Sequence, residues 1–155
     1  MENTAAKQLN LLLKRNYDAE KGYEQASEQT HDDKLKAFFK NNSDERYRFG
    51  HDIKEMLADL DTAPNKGSSM ESDAHRVWMN IRETLALNDD KAVLKECERG
   101  EKYAINDYTS AVENLVLKPD HKKTLSNHLH SLKNSLQQLQ KLEALSWSAL
   151  LKTDY

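Results

Sequence analysis

The chain contains two prolines, Pro64 and Pro119, and both stand between stretches of helical pattern instead of inside one. Elsewhere apolar residues return at intervals of three, four and seven, the period of a helix that buries one face. No stretch alternates as a half-buried strand would. The pattern therefore admits one broad class, an all-α fold.

Helix A is expected over Thr4 to Gln29, with Ala5, Leu9, Leu12, Leu13, Ala19, Tyr23 and Ala26 on its apolar face. Thr30 is read as the start of helix B, with Asp33 as its capping-box partner. Helix B then carries Leu35, Phe38, Phe39, Phe49, Ile53, Met56, Leu57 and Leu60, and ends in the breaker cluster from Asp61 to Ser69. A shorter helix from about Met70 to Leu87 shows a single stripe of Ala74, Val77, Trp78, Ile81 and Leu85. Asn88-Asp89-Asp90 caps helix C, and Asp120 is expected to cap the leucine-striped helix D, which includes Trp147 and Leu150.

At 1.5 Å per residue the four long helices would each reach roughly 40 Å. Short A–B and C–D connections make each pair an antiparallel hairpin. The B–C connection contains a helix of roughly 27 Å, long enough to carry the chain back along its neighbours. Two hairpins joined by one long crossover are the ferritin-like arrangement of a four-helix bundle. All 155 residues are read as one such domain.

Composition narrows the function classes. A net charge of −3 leaves no basic footprint for nucleic acid. No apolar run approaches 18 residues, and the polar, acidic start is unlike a signal peptide. The single cysteine, Cys97, rules out an intrachain disulfide. A cytoplasmic protein is expected, away from membranes.

Two segments carry chemistry into the helical pattern. Glu96 to Ala104 reads ECERGEKYA, and at an offset of 78 residues Asp18 to Ala26 reads DAEKGYEQA. Glu20 aligns with Glu98, Lys21 with Arg99, Gly22 with Gly100 and Ala26 with Ala104. Turning each residue 100° places Glu101 at the centre of the buried face of helix C, with Glu98 at its margin. The same construction turns Asn16 inward and brings Glu20 within about 50° of the apolar centre of helix A, while Asp18 points outward. It turns Asn42 and Arg46 inward on helix B, with Glu45 at the edge and His51 on the opposite side.

Glu20, Arg46 and Glu101 are thus expected to form a buried polar layer. Buried carboxylates come paired or metal-bound, because an isolated one costs several kcal/mol. One solution is a guanidinium bridge, Arg46 between Glu20 and Glu101. The other is iron or manganese held by Glu20 and Glu101. An intact di-metal centre would need a Glu-x-x-His from each of two helices, and the sequence has none. Glu45-x-x-Arg48 puts arginine where the histidine would stand. The salt-bridge layer is preferred, with no cofactor and no catalytic residues.

Smaller signals are read structurally. His121 and His128, seven apart at the inner edge of helix D, are taken as surface or interface histidines, with a peripheral metal site as the alternative. Gly22 and Gly100 each cost about 1 kcal/mol in a helix, and mark close approach between neighbouring helices. Cys97 is a small core residue, and Arg76-Val77-Trp78-Met79 anchors the crossover helix.

Cys97-Glu98-Arg99-Gly100-Glu101 and His75-Arg76-Val77-Trp78-Met79 resemble recurring segments of a bacterial ferritin-like family, domain of unknown function 2383. Gly22-Tyr23, Arg46 with Phe49, and Gly67-Ser68 also match, over about the first 115 residues. The resemblance implies a ferritin-like bundle and a loose association with stress responses. The wider ferritin-like group implies metal and oxygen chemistry, which the missing histidines do not support. The resulting expectation is a non-catalytic bundle that self-associates or binds a protein partner.

Overall fold

A computed structural model describes residues 4–65, 73–87 and 89–153, with the backbone alone at 82 and from 146 onward. Among the described residues there are five helices and no strand. They are α1 (Thr4–Gln29), α2 (Asp33–Asp59), α3 (Asp73–Ala86), α4 (Asp90–Asn114) and α5 (Pro119–Thr153). Gly67, Ser68 and Met70 lie outside the described residues, and the side chains of Trp147 and Leu150 are likewise not described.

Local chemistry sets the helix starts, and two differ from expectation. Asp32, not Thr30, caps α2: its carboxylate accepts from the backbone N–H groups of Lys34 and Leu35. Thr30 instead closes α1, its N–H donating to the Ala26 carbonyl. At α5 the helix opens on Pro119, whose missing N–H costs nothing in the first turn, so Asp120 lies inside the helix. Asp89 caps α4 as expected, accepting from Ala92 N–H.

The helix directions follow from the pairs that touch. Asn16 meets Tyr108 and Tyr23 meets Glu101, so α1 and α4 run antiparallel in constant register. Asp59 meets His121 and Asp52 meets His128, so α2 and α5 do the same. Both tight hairpins, α1–α2 and α4–α5, pack extensively. Hence α2 and α4 run one way, α1 and α5 the other.

Two apolar clusters fill the interior. One joins Leu9, Leu12 and Leu13 to Ile53, Leu57, Tyr108, Leu125 and Leu132, from all four long helices. The other gathers Tyr23, Phe39, Trp78, Ile81, Leu94, Cys97 and Leu139, and takes in α3. Each large side chain so buried contributes about 1.5–3 kcal/mol.

The crossover helix α3 explains the two aligned glycines. Both face the indole of Trp78. A Cβ at Gly22 or at Gly100 would come within 2.5 Å of that ring. The close approach expected at these positions is real, but its partner is α3. His75 adds a second tie, its Nδ1 lying 2.9 Å from Asp18 Oδ1. Asp18 does point away from the central core, and α3 covers it there.

Candidate functional site: a buried arginine–glutamate pair

Arg46 and Glu101 sit near the middles of α2 and α4. The side chains of both are 0% exposed, with Arg46 Nη2 at 2.6 Å from Glu101 Oε1. Tyr23 on α1 donates its hydroxyl to the same carboxylate oxygen at 2.5 Å. The cluster therefore takes one side chain from each of three helices. A charge-assisted hydrogen bond of this kind is roughly twice as strong as a neutral one.

Burial and charge work together here. Burial pushes the Tyr23 hydroxyl well above its usual pKa, and the neighbouring Glu101 adds to it. Tyr23 thus remains a donor. Burial alone would lower the pKa of Arg46, but Glu101 and its neighbours outweigh that and raise it. The guanidinium also faces the Tyr23 and Phe49 rings, 5.8 and 6.0 Å from their centroids. Arg46 Nε and Nη1 and Glu101 Oε2 have no hydrogen-bond partner among the described residues. Cys97 lies beside the cluster, and burial with nearby Glu101 pushes its thiol well up. An inert core cysteine is the result.

Glu20 is placed apart from the pair it was expected to join. It is half-buried, and among the described residues its carboxylate makes no ion pair with Arg46. Its backbone carbonyl accepts from Ser43 Oγ at 2.9 Å, tying α1 to α2. Glu20 and Arg46 do share the wall of a cavity of about 20 Å³, together with Leu13, Tyr17, Tyr47 and Lys54. Its offset of about 50° from the apolar centre of α1 is enough to turn Glu20 toward the α1–α2 groove.

Tyr23 is the member that sequence reasoning missed, because a tyrosine at an apolar position reads as core. A signal was nonetheless present. In the 78-residue alignment Tyr23 is the residue that falls on Glu101, the carboxylate it bonds.

A ferritin-type di-metal centre does not fit these residues. Its ligand set needs carboxylates and histidines converging from four helices. Here a guanidinium and a phenol occupy the inward oxygen of Glu101, and Glu20 faces elsewhere. Among the described residues no group of three or more His, Cys, Asp or Glu side chains is arranged to hold a metal ion.

His121 and His128 are buried, and each pairs with its own aspartate on α2 instead of sharing a ligand. Further along α5, Glu143 shares a hydrogen bond with Glu98 on α4. Burial, with Glu98 beside it, holds Glu143 up at about 7.

Residues 4–114, from α1 to the end of α4, match the family described as Domain of unknown function (DUF2383), and the chain belongs to that family. No curated protein matches the chain. Among the described residues no helix is long and apolar enough to cross a membrane.

Proposed function

We propose that this chain is a ferritin-like four-helix bundle that acts without catalysis, by self-association or by binding a protein partner. The order of its helices supports the architecture: two antiparallel hairpins, with α2 and α4 parallel and a helix in the long connection. One observation carries the functional half. At the level where a metal-dependent relative would gather ligands, Arg46 neutralises Glu101 inside the protein. Tyr23 completes the cluster. A buried pair of this kind fixes which helices face one another more than it adds net stability.

Elemental analysis of protein purified without chelator, combined with light scattering, tests the reading. The expected result is substoichiometric iron and manganese, and a mass above that of one chain or a stable complex with another protein. Stoichiometric metal that is lost in Glu101→Ala would overturn it.

A further inference from the structure

The seam between α2 and α5 is built differently from the others. These two helices touch least of all the packed pairs. Where they meet, two histidine–aspartate rungs bridge them. His121 Nε2 lies 2.9 Å from Asp59 Oδ2, and His128 Nε2 lies 2.8 Å from Asp52 Oδ2. The histidines are seven residues apart on α5 and the aspartates seven apart on α2, so the rungs repeat every two turns. Both imidazoles are buried, whereas the aspartate side chains are 54% and 46% exposed.

Hydrogen-bond direction decides the state of the inner rung. Asn16 Nδ2 donates to the Leu12 carbonyl and to the Tyr108 oxygen, which fixes its amide orientation. The buried Tyr108 hydrogen then needs an acceptor, and among the described residues His128 Nδ1 at 2.9 Å is the one placed to supply it. That nitrogen can accept only in the neutral imidazole, whose single proton then sits on Nε2 and is donated to Asp52. Asn16, Tyr108, His128 and Asp52 form one chain running outward from the core, with its polar atoms satisfied. A second proton on His128 would point at the Tyr108 oxygen and strand the buried phenolic hydrogen.

Nearby charges pull His128 both ways. From α2, Asp52 favours the imidazolium, Arg46 opposes it, and Phe49 covers the ring at 3.8 Å between centroids. From α4, Tyr108 faces Nδ1. Burial is the largest influence, and the pKa of His128 falls below its ordinary value despite Asp52.

We propose that the α2–α5 seam is an acid-released clasp, in which protonation of His128 breaks the Asn16–Tyr108–His128–Asp52 chain and loosens α5 from α2. The sign follows from the depressed pKa in the fold. The stabilisation is present above the unfolded histidine value of about 6.5, and is lost as pH falls from there through the folded value. One proton limits the change to about tenfold in the opening equilibrium per pH unit.

NMR titration of the imidazoles, with amide exchange of α5 referenced to α1 at each pH, tests the clasp. His128 should titrate below about 6.5. Between pH 7.5 and 5, protection of α5 relative to α1 should fall by up to about tenfold per pH unit. In His128→Gln, which cannot take up the proton, that fall toward low pH should be abolished, leaving only the opposite trend of Glu143 on the same helix. Should this variant fail to fold, Asp52→Asn serves instead, and should move the His128 titration further down. A His128 that titrates at or above the free value, or wild-type α5 protection that tracks α1 at every pH, overturns the proposal.

Discussion

Asn16 and Tyr23 lie seven residues apart on α1, and each opens a buried polar cluster of a different kind. Around Tyr23 the cluster is ionic and closed: Arg46 and Glu101 meet with no exposure to solvent. Around Asn16 it is a neutral chain through Tyr108 and His128 that ends on half-exposed Asp52. The ionic cluster holds charges whose desolvation must be offset locally, and it leaves three polar atoms without partners among the described residues. The neutral chain satisfies its polar atoms, but its donor direction depends on one titratable ring. The first holds full charges out of water, and the second is the one that the proposed clasp would release.

Removing one partner from each cluster should separate them most clearly. Arg46→Ala leaves Glu101 buried without its cation, so a loss on the order of 3–5 kcal/mol is expected in denaturant unfolding. An unchanged midpoint would show that the ionic cluster is not structural. Tyr108→Phe removes one hydroxyl from the neutral chain and should cost less, about 1–3 kcal/mol, mostly through the unpaired His128 nitrogen. The same substitution should make His128 easier to protonate, visible as an upward shift in its NMR titration. If the loss matched that of Arg46→Ala, the distinction between the clusters would fail.

Glu143 offers a smaller test with the opposite pH sign on the same helix. Its folded pKa of about 7 is raised above the unfolded carboxyl value. Its contribution is therefore complete at low pH and is lost as pH rises through about 7. Glu143→Gln should unfold at a higher temperature than wild type at pH 8, with no gain at pH 5; an equal gain at both would remove titration as the cause. The smallest effect belongs to Glu20→Ala, expected within about 0.5 kcal/mol because the carboxylate stands outside the ionic cluster. A loss comparable to that of Arg46→Ala would restore Glu20 to the layer.

The fold was legible because its signals are local. Helix periods, the Asp89 cap and the proline positions depend on a few neighbouring residues, and they recovered all five helices to within a few positions. Burial of Arg46 and Glu101 followed from the same periodicity. Partner choice is not local. Glu20 lies only a few tens of degrees from the inward direction, and that rotation decides between a core ligand and a groove-lining side chain. Tyr23 hides a polar function under an apolar period. The histidine–aspartate rungs need the register between α2 and α5, which no single helix encodes. His121 and His128 read as surface or interface histidines, and nothing in the period of α2 singles out Asp52 and Asp59 as their partners.

The indole of Trp78 rests on Gly22 from one hairpin and Gly100 from the other. It behaves as a keystone: the ring has no seat until α1 and α4 already stand side by side. Docking of α3 is therefore expected to follow the non-local pairing of the two hairpins. With Trp147 replaced by Phe, the Trp78 emission during refolding is expected to shift toward the blue only when the two hairpins come together.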